Sequence, residues 1–193
     1  PDDANMDERA RVQAGLTRPE ISVLLAYSKM RLFDELMAAN IGNDAYLARS
    51  LEHYFPKVLS KKYPTAIASH PLRSEIIATH VTNQIGNRMG STFGNYLQEE
   101  MGAEAGDIAR AFTAACDIID SQSLWHELDR VTLIIDYPKS MQLHKNIQTL
   151  LEDLTLWLLS QHPGQTIQTM VDQYQKPMAI YYSELTHLLP REA

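Results

Sequence analysis

The stretch LTRPEISVLLAYSKMRLFDEL, residues 16–36, combines a helix start signal with a helical periodicity. Thr17 can accept a hydrogen bond from the amide three residues on, and Glu20 can reach back to the amide of Thr17, so the pair predicts a capping box. Pro19 lies in the first turn, where its missing N–H is not needed. Apolar residues then follow at the spacing of one helix face: Ile21, Leu24, Leu25, Leu32 and Leu36. The stretch therefore predicts a long helix, which Asn40-Ile41-Gly42 ends.

Start and stop signals recur at helical spacing on both sides of this stretch. Residues 6–14 predict a short helix before it, closed by Gly15. After it, helices are predicted over residues 43–55, 71–90, 91–101, 107–119, 124–135, 138–162, 167–174 and 178–189. Residues 57–69 predict broken turns interrupted by Pro64, and Pro177 is expected to divide the last two helices. The sequence leaves the boundaries over 57–70 and 131–138 open.

The run VTLII, residues 131–135, is β-branched and apolar, and periodicity alone does not assign it. We assign it to the end of the preceding helix, because the sequence contains no second strand with which it could pair. The predicted fold class is therefore all-α: a multi-helix bundle of antiparallel neighbours joined by short loops, without a sheet.

The predicted helix over 138–162 carries an apolar seam that alternates steps of four and three. Its members are Leu143, Ile147, Leu150, Leu154 and Trp157, with Leu151 and Leu158 beside them. Such a seam is typical of a helix that packs against the core, and we expect Leu154 to be part of that core.

Length and composition predict one globular domain. The 193 residues are 45% hydrophobic and 21% charged, which is near the average for folded domains. We assign residues 1–193 to a single helical domain, with residues 1–15 as a short lead-in helix or the tail of a preceding domain. Cys116 is the single cysteine, which excludes an internal disulfide and fits a reducing cytoplasm.

Two classes of partner are disfavoured by the charge pattern. The net charge is −7, and no Lys/Arg cluster extends beyond Lys61-Lys62, so nucleic acid is not expected. The longest stretch without Asp, Glu, Lys or Arg, residues 154–171, is interrupted by the polar segment 160–165. Those polar groups would lack partners in lipid, so a membrane span is not expected.

No motif for catalysis, for a cofactor or for a metal is present. Gly86, Gly90 and Gly94 are spaced by four, unlike a dinucleotide-binding turn, and no strand precedes them. We explain Gly90 as a helix cap and Gly86 by close helix packing. The segment HELDR, residues 126–130, begins like a zinc-protease helix but has Arg130 where the second histidine is required. We therefore assign no catalytic, cofactor-binding or metal-ligating residue to this chain.

One predicted helix has an unusual polar arc. His80, Asn83, Gln84 and Asn87 share a narrow arc at about 100° per residue, and Ile76 lies within that arc. Arg88 instead falls among the apolar positions near the helix end. The arc is either a solvated surface or a candidate interdomain interface formed by His80, Asn83, Gln84, Asn87 and Arg88. Arg88 is either a snorkelling side chain or a paired, partly buried arginine that holds two elements together.

Several segments resemble, in order, the C-terminal region of the large bacterial NAD-specific glutamate dehydrogenases. They are LTRPEISVLLAYSK (16–29), YLARSL (46–51) followed by YFP (54–56), RSEIIAT (73–79), NRMG (87–90) followed by TF (92–93), DIARAF (107–112) and LW (124–125). The resemblance covers residues 16–125. The assignment of the last third of the chain to the same region rests on its position alone.

The resemblance implies a parent enzyme that converts L-glutamate, water and NAD to 2-oxoglutarate, ammonium and NADH. In that family the catalytic lysines and the dinucleotide fold lie upstream of this region, so no residue here is given their role. The resemblance implies a cytoplasmic, non-catalytic domain that braces the catalytic region or the oligomer. Its expected partners are the upstream catalytic domain of the same polypeptide and further copies of the parent, and NAD is expected in the parent only.

Two other interpretations stay open at this point. A free-standing helical adaptor is suggested by the eight methionines and by the seam over residues 143–157. A small helical enzyme is disfavoured because no catalytic motif is present. The sequence alone leaves open the oligomeric state, the effectors and the face that meets the rest of the enzyme.

Overall fold

Helices account for all regular secondary structure between residues 4 and 188, which a computed structural model of the chain describes. In order they are α1 (Ala4–Arg11), α2 (Arg18–Ala38), α3 (Ser50–Tyr54), α4 (Lys57–Lys62), α5 (Pro64–Ala68), α6 (Arg73–Arg88), α7 (Phe93–Met101), α8 (Ala105–Ile118), α9 (Ser121–Val131), α10 (Tyr137–Gln161) and α11 (Ile167–Leu188). Two 3-10 turns, Ile41–Asn43 and Leu47–Arg49, connect α2 to α3. The predicted all-α class without a sheet is confirmed.

Helix α8 lies at the centre of the molecule. It packs against α10 and α11, and also against α2, α6, α7 and α9. Its small residues allow this crowding: a Cβ added at Gly106 would lie 2.9 Å from the Cβ of Ala39. Phe112 fills the remaining space, edge-on to Phe93 with ring centres 5.7 Å apart. A helix with neighbours on most sides needs a wide apolar surface, and nine of the 14 residues of α8 are buried.

Helices α2 and α6 form a second, antiparallel pair. The turn after α2 meets the start of α6, where a Cβ on Gly42 would overlap Ser74. Lys29 of α2 reaches Asn87 near the end of α6. The residues of α2 before Lys29 therefore extend past the end of α6. Arg9 of α1 forms an ion pair with Glu20, so α1 lies beside this extending end.

Local start signals are confirmed where they depend on neighbouring residues only. Glu20 accepts from the backbone N–H of Thr17 at 2.6 Å, as the capping box predicts. Gly90 follows α6 with a φ of 90°, which is the left-handed conformation expected of a glycine after a helix. The predicted broken turns over 57–69 are the two short helices α4 and α5.

Several predicted boundaries are wrong. Helix α1 ends at Arg11, before the predicted residue 14, and 3-10 turns replace the first part of the helix predicted over 43–55. Helix α8 begins at Ala105, two residues before the predicted cap. Helix α9 begins at Ser121, because the side chain of Asp120 accepts from the N–H of Ser123 and so acts as the cap.

The run 131–135 is not the end of a helix. Helix α9 stops at Val131, and a turn follows in which Leu133 and Ile134 are 86% and 83% exposed. Their apolar character favours burial, so their exposure depends on the turn that leads to α10 rather than on hydrophobicity.

The predicted division of the last helix at Pro177 is also wrong, because α11 continues through it to Leu188. Pro177 lies on the exposed side of α11. The carbonyl that loses its hydrogen bond to the missing N–H can therefore bind water there. The predicted end at residue 189 falls outside the described residues.

The buried face of α10 is rotated about the helix axis relative to the predicted seam. The residues at its centre are Leu151 and Leu158, both 0% exposed, with Thr155 between them. Leu154 and Ile147 are half-buried at the edge of the core, whereas Leu143, Leu150 and Trp157 are about 40% exposed. Residues beside the predicted seam therefore form the contact with α8. Two of the five residues of the seam that suggested an adaptor, Ile147 and Leu154, thus border this chain's own core.

Candidate interdomain interface

The polar arc of α6 faces solvent and the opposite side faces the core. Asn83, Gln84, Asn87 and Arg88 are exposed, and His80 is half-buried. The apolar positions of the same helix are at most 2% exposed: Ile77, Ala78, Val81 and Ile85. The two sides of α6 thus divide as the helical period predicts, except that Arg88, which was expected among the apolar positions, is exposed.

Lys29 of α2 connects the two asparagines of this arc. Its Nζ donates to Oδ1 of Asn83 at 3.0 Å and to Oδ1 of Asn87 at 2.6 Å. Its aliphatic stem lies across Gly86, where an added Cβ would come within 2.7 Å of Cε. The predicted close packing at Gly86 is confirmed, and its cause is a side chain crossing the helix. The two asparagines therefore join α2 to α6 as well as facing outward.

Sequence reasoning did not find Lys29, although a signal was present. Lys29 lies on the same side of α2 as Leu25, Leu32 and Leu36, the stripe that packs toward the core. A cation on such a stripe needs polar acceptors nearby, and the amide oxygens of α6 supply them. This need for acceptors is the sequence signal that connects α2 with the polar arc.

A second polar network ties α2 to α7 beside the first. Arg31 donates to Glu35 at 2.7 Å, and Gln98 of α7 donates to the same carboxylate at 2.8 Å. Arg31 also donates to Oε1 of Gln98 at 3.3 Å. The polar groups along the inner side of α2 are thus bonded to neighbouring helices.

His80 and Ile76 belong to the edge of the core rather than to the exposed arc. Ile76 is half-buried and packs against the core, which explains an apolar residue at that position. Burial lowers the pKa of His80, and the nearby His53 lowers it further. His80 is therefore held toward its neutral form, which suits a residue at an apolar boundary.

Arg88 contacts the next part of the fold. Its guanidinium lies 4.8 Å from the ring centre of Trp125 in α9. Its backbone oxygen accepts from Gln148 of α10 at 2.5 Å. The end of α6 is therefore attached to two other helices. This geometry favours the interpretation in which Arg88 holds elements together over the snorkelling one, through a cation–π contact that stabilises by about 0.5–1 kcal/mol when exposed.

The outer face of α2 is apolar and exposed. We define it by Val23, Tyr27 and Met30, which are 54%, 66% and 60% exposed and follow one another at helical steps of four and three. Ile21 and Leu24 flank it and are 49% and 44% exposed. Because its inner side packs on the core, α2 is apolar on both sides. That pattern is typical of a helix covered on both sides.

The environment of the single cysteine disfavours its reactive form. Burial raises the pKa of the Cys116 thiol to about 12, so it stays protonated rather than becoming the nucleophilic thiolate. Among the described residues, no group of His, Cys, Asp or Glu could hold a metal ion. Nor does any helix in that part of the chain combine the length and apolar character needed to cross a membrane.

The family model and the relatives that match this chain all describe the same kind of protein. A family model described as "Glutamate dehydrogenase, C-terminal" matches residues 13–193. The NAD-specific glutamate dehydrogenase of Halomonas elongata is 30% identical over 179 residues, covering 93% of this chain and 11% of the relative. The enzyme of that name from Pseudomonas aeruginosa is 31% identical over 82% of this chain, and that from Mycobacterium tuberculosis is 28% identical over 84%. The chain thus spans about a tenth of the length of these curated relatives.

Proposed function

This chain belongs to the glutamate dehydrogenase C-terminal family, and we propose that it forms the non-catalytic helical domain of an NAD-dependent glutamate dehydrogenase. The parent enzyme would deaminate L-glutamate oxidatively to 2-oxoglutarate in the cytoplasm, with NAD bound elsewhere in the polypeptide. The names of the relatives support this activity. Their roughly tenfold greater length leaves room for a catalytic region outside the matched part.

The proposed role is to brace the catalytic region, and the outer face of α2 is the observation that carries it. An interface commonly has an apolar centre and a polar rim. Tyr27 and Met30 supply such a centre. The polar arc of α6, with Asn83 and Asn87 held by Lys29, adjoins the inner side of the same helix, where we propose that it extends the docking surface.

We propose that the preceding part of the same polypeptide covers this face. The ion pair between Arg9 and Glu20 holds α1 beside the extending end of α2. In a parent chain, the polypeptide that leads into α1 would therefore arrive near the start of α2. A segment delivered at that point has a short path to the outer face of α2.

Residues 1–193 are proposed to act as one unit in that arrangement, with residues 1–15 as its lead-in. One cluster of buried residues runs from Leu36 of α2 to Val171 of α11, which supports a single core. Residues 1–3 and 189–193 of this unit lie outside the described residues. A homo-oligomeric parent is part of the same proposal, and the isolated chain is proposed to be inactive.

Tyr27→Asp in the parent enzyme tests the bracing role. A charge at this position would be desolvated by a docked partner, so we expect loss of assembly or of turnover in the parent. The isolated chain should keep its melting temperature, because the side chain is exposed there. Val58→Asp is the matched control, since Val58 is 75% exposed on α4, away from α2.

The outcome separates docking from simple solvation. Reduced oligomer size or activity with Tyr27→Asp, but not with Val58→Asp, supports the interface. Unchanged assembly and turnover of the Tyr27→Asp parent would mean that water alone covers the face. A reading frame that encodes no nucleotide-binding region upstream of residue 1 would contradict the proposal that this chain is part of a larger NAD-dependent enzyme.

A further inference from the structure

A cavity of about 200 Å³ lies at the far end of the α2–α6 pair, between α3, α5 and the start of α6. Leu51, Ile67 and Pro64 form an apolar part of its wall, and the guanidinium-bearing side chains of Arg49 and Arg73 line it as well. Pockets that enclose drug-sized ligands measure about 300–1,000 Å³. The cavity is therefore suited to a smaller molecule.

Arg73 is the residue that most directly suggests a bound ligand. It is half-buried at the first position of α6, and its Nε is buried without a hydrogen-bond partner. No ion pair within the described residues involves Arg73 or Arg49. A guanidinium carries five N–H donors and cannot lose its charge, so an arginine without an ion pair in the wall of a cavity favours an acceptor there.

Arg49 adds a second cation on the same cavity. Its guanidinium lies 4.6 Å from the ring centre of Tyr46, a contact that orients the side chain but neutralises no charge. Glu52 also lines the cavity, without an ion pair to either arginine. Two guanidinium groups and one carboxylate leave the lining with a net charge of +1.

The surrounding segment is basic although the chain is acidic. Residues 45–74 contain five cations, Arg49, Lys57, Lys61, Lys62 and Arg73, against the single carboxylate of Glu52, which is a net charge of +4. The whole chain has a net charge of −7. An anion is therefore attracted to this part of the molecule and repelled by the remainder.

We propose that this cavity binds a small aliphatic carboxylate. A guanidinium matches a carboxylate in geometry and charge, and the apolar wall suits a short carbon chain. Inorganic phosphate fits less well. Its oxygens lie on every side, so it has no apolar part to pack against Leu51, Pro64 and Ile67. The doubly charged form of phosphate would also meet the carboxylate of Glu52.

Titration of the ¹⁵N-labelled 193-residue chain with butyrate, followed by NMR, tests the proposal. Butyrate should shift the backbone signals of residues 48–52 and 66–73 in a saturable way. Butyramide, which has the same shape without the charge, should not. Arg73→Gln should weaken butyrate binding by about tenfold or more, because a hydrogen bond to a charged group is lost. Arg18→Gln removes the same charge from α2, outside the cavity, and should leave binding unchanged.

Each result decides the matter. Saturable butyrate shifts that Arg73→Gln weakens and Arg18→Gln does not would support the site. No saturable shift at tens of millimolar butyrate, or equal shifts with butyramide, would overturn it. Tighter binding of inorganic phosphate would overturn the carboxylate class. If Arg73→Gln does not fold, Arg49→Gln takes its place with the same expectation. None of these results depends on docking to a parent enzyme.

Discussion

Helices α2 and α8 have similar apolar content but opposite environments. Phe112 and Ile108 of α8 are each 1% exposed, whereas Tyr27 and Met30 of α2 are 66% and 60% exposed. Both helices carry apolar residues on more than one side, and α8 has a neighbour on each side. The difference shows that the described residues bury most of α8, apart from Asp107 near its start, but cover α2 on its inner side only. We therefore interpret the outer face of α2 as the surface left for a partner.

Paired truncations should give the largest contrast between the two helices. Phe112→Ala should lower the free energy of unfolding by about 3–5 kcal/mol, because a buried aromatic ring is replaced by a cavity. Tyr27→Ala should change it by at most about 0.5 kcal/mol in the isolated chain, since the ring is exposed. Urea unfolding monitored by circular dichroism measures both values. A large loss for Tyr27→Ala would show that α2 is covered within this chain, and the comparison would fail.

Added methyl groups sharpen the comparison at a smaller scale. Gly106→Ala should destabilise by about 1–3 kcal/mol, because its Cβ would lie 2.9 Å from the Cβ of Ala39, which cannot yield. Gly86→Ala should be close to neutral. Its clash is with the flexible side chain of Lys29, and alanine is favoured over glycine in a helix by about 0.5–1 kcal/mol. The same unfolding curves measure both. Equal destabilisation by the two substitutions would mean that Lys29 is held as firmly as the core.

The smallest effect is expected from the polar link between α2 and α6. Replacing Asn83 and Asn87 by Ala should destabilise the isolated chain by less than about 1 kcal/mol, because the bonds to Lys29 are exposed. Gln84→Ala is the control, since it lies on the same arc without a bond to Lys29. In the parent enzyme the double variant should loosen assembly, which size-exclusion chromatography would detect. Unfolding of the isolated chain by the double variant would place the asparagines in its internal framework instead.

The sequence predicted those features whose cause lies within a few residues. The capping box at Thr17 and the left-handed Gly90 follow from local geometry, and so does the division of α6 into a buried and an exposed side. Features set by distant contacts were missed. Pro177 was expected to break α11, and the core side of α10 was placed next to Leu151 rather than on it. In both cases packing against neighbouring helices determines the outcome, and sequence periodicity alone does not predict that packing.

The candidate site shows the same division. The polar arc of α6 was visible in the sequence, but its connection to Lys29 joins positions 54 and 58 residues apart. The cavity beside Arg49 and Arg73 is assembled from a 3-10 turn and four helices, so neither arginine stands out from its neighbours along the chain. Contacts of this kind depend on the tertiary structure and cannot be read from a single sequence.

The small residues that let α8 occupy the centre also limit how this protein can evolve. Ala109, Ala114 and Ala115 are 0% exposed, and the methyl group that Gly106 lacks has no room. A larger side chain at these positions has no solvent-facing direction in which to turn. Neutral drift along α8 is therefore confined to residues of similar volume. On the outer face of α2 volume is unrestricted within this chain, and selection there would act on apolar character alone.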